Sequence, residues 1–333
     1  MLTKEPPLVT VRKLRMNIVM LERASVGNET SIEELERLGE LRVYDTTPTH
    51  LIADRIKDAH IIIANKSPLN ENTLKGASKV RLICELATGY DNVDLDYCRK
   101  RDISVRNVKG YSTDAVVQHT FALCLYLFEK LDYYDNYVKS GEYSRQDSFS
   151  HYDFKFSELA SKTWGVIGLG AIGSRVAEIA TAFGCNVVRC SLRDNLSDSV
   201  YESLDFDKFL STCDIISIHC PLNDNTKGLF DYSAFSKMKR DAILINVARG
   251  GIVVDEDLHK ALSENLIYGA GLDVTGTEPM SDDNPLSQYM DSTRLIITPH
   301  MAWASKEARQ RVVHETALNI EAFIKGEERN VIV

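Results

Sequence analysis

Three groups of residues in this 333-residue chain have types and spacings that can do chemistry. The first is Gly168-Leu169-Gly170-Ala171-Ile172-Gly173, preceded by an apolar strand-like run at 164–167 and followed by helical periodicity over 171–183. On a strand-to-helix turn, Gly168 permits the tight bend and Gly170 lets the backbone approach a pyrophosphate. Gly173 lets helix and strand pack closely. The unbonded N–H groups of the helix start, at Ala171 and Ile172, are donors for phosphate oxygens. In this context the glycines read as a dinucleotide site, with a purely structural turn as the alternative. The second is Arg249, which follows the apolar run AILINVA and precedes two glycines. Its planar fork suits a carboxylate and can polarise an adjacent carbonyl, unless it serves only in a surface ion pair. The third is His300, after LIIT and Pro299, with Glu278 and Asp273 upstream in GLDVTGTEP. A histidine there can exchange a proton with a carbonyl or hydroxyl oxygen, and a carboxylate at Glu278 would orient the ring and favour its charged form. Asp273 reads either as an acceptor for the nicotinamide carboxamide, as a support for the site, or as a turn-capping residue. Hydride carrier, carboxylate anchor and acid/base together point to redox chemistry at a 2-oxo or 2-hydroxy acid.

One position bears on the choice of carrier. A site for NAD usually has an acid at the end of the second strand, accepting from the ribose 2′-hydroxyl. Here that strand, 185–190, runs into Ser191-Leu192-Arg193-Asp194. Ser191 stands where the acid is expected, and Arg193 is suited to charge-assisted bonds with a 2′-phosphate. The reading is NADP(H) favoured over NAD(H). The alternatives are that Arg193 only stacks on adenine, or that Asp194 takes the acid's role.

Stepping outward, two alternating strand–helix blocks must hold these residues. Strand candidates at 17–21, 41–44, 60–64, 81–86 and 103–107 are interleaved with helix candidates at 31–38, 49–57, 70–75 and 94–100. A long helix over 113–131 follows, opened by Ser112 as N-cap and apolar nearly all round, so it is expected to be buried, against a second subunit in one reading. Partly irregular structure is expected over the aromatic, polar stretch 133–156. The second block places strands at 164–167, 186–190, 215–219, 242–246, 268–272 and 295–298. Its helices fall at 171–183, 204–212, 233–238 and 256–264, with a last helix at 305–325. The βα alternation predicts an α/β protein of two doubly wound parallel-sheet domains. If the last helix returns to the first block, the substrate domain is discontinuous, 1–108 plus 304–333, around a dinucleotide-binding domain at 109–303.

The bulk properties set limits. A length of 333 residues favours two domains, and 44% hydrophobic with 26% charged residues is an ordinary globular composition. A formal charge of −9 with no basic stripe argues against nucleic-acid binding. No apolar run has the length of a membrane span, and the first fifteen residues lack an apolar signal core. Those fifteen read as an appendage, with Met16 as a minor candidate for the native start. The seven cysteines are irregularly spaced with no CxxC pair, which reads as buried reduced thiols in a cytoplasmic protein. No metal site is expected.

Several strings, in order, resemble the D-isomer-specific 2-hydroxyacid dehydrogenase family. They are ATGYDNVDLD at 87–96, GLGAIG at 168–173, HCPLNDNTKGLF at 219–230, NVARGGIVVDEDL at 246–258, GAGLDVTGTEP at 269–279 and TPHMAW at 298–303. The resemblance implies a Rossmann cofactor domain and a flavodoxin-like substrate domain, with catalysis in the cleft between them. It makes Arg249, Glu278 and His300 the catalytic set. It gives the substrate carboxylate to the backbone N–H groups near Thr88 and Gly89, and the cofactor lining to Cys220, Pro221, Thr226, Val247, Ala248 and Asp273. It also implies a homodimer through the cofactor domain, and a chain without the extra regulatory domain of many phosphoglycerate dehydrogenases. Trp303 departs from the glycine of many members, and the string is most similar to the glycerate dehydrogenase, or hydroxypyruvate reductase, branch. An indole there either shrinks the substrate pocket or packs structurally. Glu278 argues against the formate dehydrogenase branch, which has Gln. The expectation is reduction of hydroxypyruvate or glyoxylate to the D-2-hydroxy acid. The rivals are a dehydrogenase for a bulkier 2-oxo acid and a dinucleotide-sensing, corepressor-like binding protein.

Overall fold

Runs such as IIIA and LICE bury every residue as strands, which requires helices on both faces of a parallel sheet. The computed structural model describes residues 16–190, 200–289 and 291–333. They form two units, one holding the described residues up to Tyr111 together with Lys306–Val333, the other Ser112–Ser305.

In the first unit β1 (Asn17–Met20), α1 (Glu33–Glu36), β2 (Glu40–Val43), α2 (Thr49–Ile56), β3 (Ile61–Ala64), α3 (Glu71–Leu74), β4 (Leu82–Glu85), α4 (Leu95–Lys100) and β5 (Ser104–Arg106) alternate along the chain. The sheet order is β2-β1-β3-β4-β5, parallel throughout, which is the flavodoxin-like order. Val19, Ile62, Ile83 and Val105 share one buried face. Two of the short helices, α3 and α4, start on side-chain caps: Asn70 accepts from the N–H groups of Asn72 and Thr73, and Asp94 from that of Tyr97.

The second unit opens with α5 (Thr113–Phe128) and α6 (Leu131–Lys139), then β6 (Thr163–Ile167), α7 (Ala171–Ala182), β7 (Asn186–Cys190), β8 (Glu202–Ser203), α8 (Phe206–Thr212), β9 (Ile215–Ile218), α9 (Tyr232–Lys237), β10 (Ile243–Asn246), α10 (Asp255–Ser263), β11 (Gly269–Leu272) and β12 (Leu295–Ile297). The parallel order is β12-β11-β10-β9-β6-β7-β8, the dinucleotide-fold order with one further strand. Strand order reverses beside β6, between β7 and β9. Two cores sandwich the sheet. Trp164, Ile215, Ile243 and Ile245 pack towards α5 and α7, and Ile216, Ile218 and Leu244 pack on the other side. The last helix, α11 (Lys306–Lys325), belongs to the first unit, where it packs on α1 and β4.

Two expectations are corrected. The helix read over 113–131 ends at Phe128, because Lys130 is left-handed at φ 57°. Its ammonium donates to the Leu127 carbonyl at 3.1 Å and lies 3.2 Å from the centre of the Tyr268 ring, a tertiary contact invisible to periodicity. A separate helix follows as far as Lys139, ahead of the irregular part of the 133–156 stretch. Ser112 occupies the N-cap position of α5 but at φ −110°, ψ 7° its side chain makes no capping bond. The two-residue β8 carries no periodicity that a sequence could reveal. All seven cysteines are buried and free. Among the described residues no helix is long and apolar enough to cross a membrane.

Candidate active site

The glycine turn and the loops that carry Arg249, Glu278 and His300 all follow the carboxyl ends of strands, where open α/β sheets bind ligands. The glycine turn connects β6 to α7. Gly168 has φ +94°, and a Cβ on it would come within 2.8 Å of the Cys220 nitrogen, so the residues after β9 press directly on the turn. A Cβ on Gly173 would lie 2.0 Å from the Gly168 carbonyl oxygen, which is the close helix–strand approach. Gly170, the N-cap of the twelve-residue α7, has nothing among the described residues within 4 Å of where its Cβ would be. Among the described residues the N–H groups of Ala171 and Ile172 have no acceptor. Open space, two free donors and the positive end of a helix dipole fit a pyrophosphate, so the turn fits a dinucleotide cofactor.

Asn246, Leu272 and Ile297 align as the last residues of the adjacent strands β10, β11 and β12. Arg249, Glu278 and His300 lie on the three loops that follow. Asn246 locks the first loop: its Oδ1 accepts from the Ala248 N–H and its Nδ2 donates to the Arg249 carbonyl, each at 3.0 Å. Arg249 Nη1 donates to the Ala248 carbonyl at 2.9 Å. A Cβ on Gly250 would lie 1.7 Å from the Thr275 oxygen, so only glycine lets the Arg249 loop touch the loop after β11. That second loop is held by Asp255, whose Oδ2 accepts from the Gly276 N–H and from Asn284. The Thr275 N–H donates in turn to Glu278 Oε1 at 3.3 Å. Glu278 Oε2 then meets His300 Nδ1 at 2.7 Å, a charge-assisted distance. The two side chains are 32% and 27% exposed, so solvent and ligand can reach them. With Nδ1 held by a carboxylate, Nε2 of His300 is left without a partner among the described residues.

The His300 loop has its own anchor. His300 is left-handed at φ 51°, a backbone state that a side-chain-bearing residue adopts only when its surroundings fix it. Asp273, 1% exposed, supplies that fixing. Its Oδ1 accepts from the Met301 N–H and its Oδ2 from the Ala302 N–H, both at 2.8 Å. Thr298 Oγ1 donates to Oδ1 at 2.6 Å. These bonds are common to the turn-capping and site-supporting readings of Asp273.

The remaining expected residues fall as follows. In the first unit, Thr88 and Gly89 form the loop after β4, pinned by bonds from Thr88 Oγ1 to the Val108 carbonyl and from Asn107 to the Thr88 carbonyl. Among the described residues neither the Thr88 nor the Gly89 N–H has an acceptor, as a carboxylate-binding loop requires. Cys220 is buried against the glycine turn, and Pro221 is exposed beside it. Thr226 is buried and braces their loop, donating to the Pro221 carbonyl and accepting from the Asn223 N–H, each at 2.8 Å. Val247 and Ala248 are half-buried ahead of Arg249, and Trp303 is half-buried three residues past His300. Ser191 and Arg193 lie outside the described residues.

Sequence reasoning missed three residues. His119 on α5 reaches Thr298 Oγ1 at 2.9 Å. Glu85, wholly buried at the end of β4, accepts from Asn92 with one oxygen and has no partner for the other among the described residues; burial pushes its carboxyl up to about 8. His219, between β9 and Cys220, has both ring nitrogens buried without partners among the described residues, and burial pushes the ring down to about 3. Only His219 carried a signal, as the first residue of a recognised string.

Comparison with known proteins gives a consistent result. The family model described as the D-isomer specific 2-hydroxyacid dehydrogenase, NAD binding domain, matches residues 121–302. A glycerate dehydrogenase of Methylorubrum extorquens is 36% identical over 95% of this chain and 98% of its own. A hydroxypyruvate reductase of Blautia hydrogenotrophica is 34% identical over 95% and 99%. The crystal structure of D-lactate dehydrogenase from Aquifex aeolicus, complexed with NAD and lactic acid, superposes with a TM-score of 0.82 at 31% identity, covering 95% of this chain and 99% of that one.

Proposed function

The chain belongs to the D-isomer-specific 2-hydroxyacid dehydrogenase family, and from that premise we propose that it reduces a short 2-oxo acid, hydroxypyruvate or glyoxylate, to the D-2-hydroxy acid. Membership makes it an oxidoreductase of the hydroxy/oxo acid couple that uses a nicotinamide dinucleotide. The observation that carries the finer reading is the 2.7 Å pair of His300 Nδ1 and Glu278 Oε2, on a loop braced against that of Arg249. The names of the glycerate dehydrogenase and hydroxypyruvate reductase relatives support the short acid.

The roles follow from chemistry. The N–H groups of Ala171 and Ile172 hold the pyrophosphate, and the Cys220–Pro221, Thr226 and Val247–Ala248 segments line the rest of the cofactor. When bound, the nicotinamide supplies the hydride. The N–H groups of Thr88 and Gly89 take the substrate carboxylate. Arg249 clamps the acid and draws electron density from the carbonyl oxygen. His300 gives the Nε2 proton to that oxygen and recovers it in the reverse direction, while Glu278 steadies the imidazolium through Nδ1. Ser191 and Arg193 assign NADP(H) over NAD(H), and the assembly is a homodimer.

Initial rates with hydroxypyruvate, glyoxylate and a series of bulkier 2-oxo acids, each with NADPH and NADH, test the proposal. Fastest turnover of the short acids with NADPH supports it throughout. Preference for NADH sinks the reading of Ser191 and Arg193 alone. Preference for bulky acids sinks the substrate, and tight dinucleotide binding without turnover of any acid favours a sensing protein. His300→Ala is expected to lower kcat by about 100-fold or more while dinucleotide affinity stays close to wild type. Wild-type kcat in that variant removes His300 from the mechanism. Light scattering checks the dimer.

A further inference from the structure

Behind the His300 loop lies a second histidine that neither the motifs nor the catalytic set includes. His119, on α5, has a side chain 15% exposed. Its Nε2 is 2.9 Å from Thr298 Oγ1 and 3.5 Å from Asp273 Oδ1. The donor directions along this chain are fixed by counting hydrogens. A carboxylate only accepts, and a hydroxyl has one hydrogen to give. The Thr298 hydrogen lies in its 2.6 Å bond to Asp273 Oδ1. His119 Nε2 must therefore carry a proton and donate it to Thr298 Oγ1. Burial pushes the His119 ring below its ordinary value, with Asp273 opposing, which favours a neutral ring protonated on Nε2. Asp273 passes the constraint on by accepting the N–H groups of Met301 and Ala302, which flank the left-handed His300.

We propose that His119 is a positioning residue: through Thr298 and Asp273 it holds the 298–302 loop in the one conformation that presents His300 to the substrate. The bond runs from a helix to a loop, so it ties the loop to a rigid element rather than to its own neighbours. A loop released on that side leaves Asp273 free to rotate with Thr298, and a displacement of about 1 Å at a reacting group costs about 100-fold in rate. The inference rests on the reading of His300 as the acid/base.

The test uses the full chain with His119→Ala, His119→Gln and Thr298→Val. The Gln amide N–H can replace the Nε2 donor, whereas Ala and Val remove the bond from either end. Two readouts are taken. Amide hydrogen exchange at Met301 and Ala302 needs no substrate; kcat and KM for hydroxypyruvate, with dinucleotide affinity by calorimetry, report on the reaction. The expected result is exchange about 10-fold faster or more in His119→Ala and Thr298→Val, with kcat lowered at least about 10-fold and dinucleotide affinity held. His119→Gln is expected to recover most of both. Unchanged exchange in the Ala and Val variants overturns the proposal. Lost dinucleotide affinity with wild-type kcat also overturns it, since the pair would then serve the cofactor. Failure of Gln to rescue overturns it in favour of simple packing. If the wild type reduces no 2-oxo acid, the proposed function fails while the exchange data still decide the positioning role.

Discussion

Replacing Glu85 by Gln should stabilise the protein, and do so more strongly as pH rises. Glu85 is wholly buried, its Oε1 accepts from Asn92 Nδ2 at 3.2 Å, and its Oε2 has no partner among the described residues. Burial is the main cause of a carboxyl pushed from 4.5 to about 8, with the nearby Glu22 adding and the Asn92 bond and Lys66 opposing. The folded state therefore keeps a proton that the unfolded chain has lost between pH 4.5 and about 8. Stability is highest below pH 4.5, falls through that window, and levels off above it. At ~1.4 kcal/mol per pH unit the full window is worth about 5 kcal/mol, of which about 3 kcal/mol falls between pH 6 and pH 9. The Gln amide can accept from Asn92 in the same way and never ionises. The advantage of Glu85→Gln over wild type should thus grow by about 3 kcal/mol from pH 6 to pH 9. Both tryptophans lie in Ser112–Ser305, so fluorescence would miss the unit that holds Glu85. Urea denaturation followed by far-ultraviolet circular dichroism at the two pH values is the assay. An equal difference between variant and wild type at pH 6 and pH 9 would refute the buried, protonated acid.

Two further expectations concern the glycine turn and its neighbour. Gly173→Ala puts a methyl group 2.0 Å from a backbone oxygen that cannot yield, so both Tm and dinucleotide affinity should fall, the affinity by about 100-fold, or roughly 3 kcal/mol. Gly170→Ala meets nothing within 4 Å and has an ordinary φ of −80°, so it should keep its Tm and lose only dinucleotide affinity; equal behaviour of the two variants in melting and calorimetry would contradict this division. His219, pushed by burial to about 3, should stay neutral at pH 5 in an NMR titration of its ring. Between about 3 and 6.5 the unfolded chain binds a proton that folded His219 does not, so this residue weakens the fold as pH drops through that window. A ring titrating near 6.5 would show that it is not buried as described.

The sequence was most legible where function depends on neighbours in the chain. The glycine turn is such a case: Gly168 and Gly173 act within one strand–turn–helix, so their spacing is enough to expect the tight bend and the close helix–strand approach found there. The strands were legible for the same reason, because runs like IIIA and AILIN announce burial on both faces. Even the starts of the loops that carry Arg249, Glu278 and His300 were readable, since each follows an apolar run. What could not be read is how those loops are tied. Thr298 and His119 are 179 residues apart, and only the folding of α5 onto the sheet brings them to 2.9 Å. The same holds for Lys130, whose ammonium meets the Tyr268 ring, and for Glu85, whose apolar run announces burial but not the raised carboxyl. Local chemistry is written in spacing, and the chain alone determined which residues have it. Which tautomer, which pKa and which backbone state those residues hold was decided by distant groups, because desolvation and long-range hydrogen bonds exist only once the fold has closed around them.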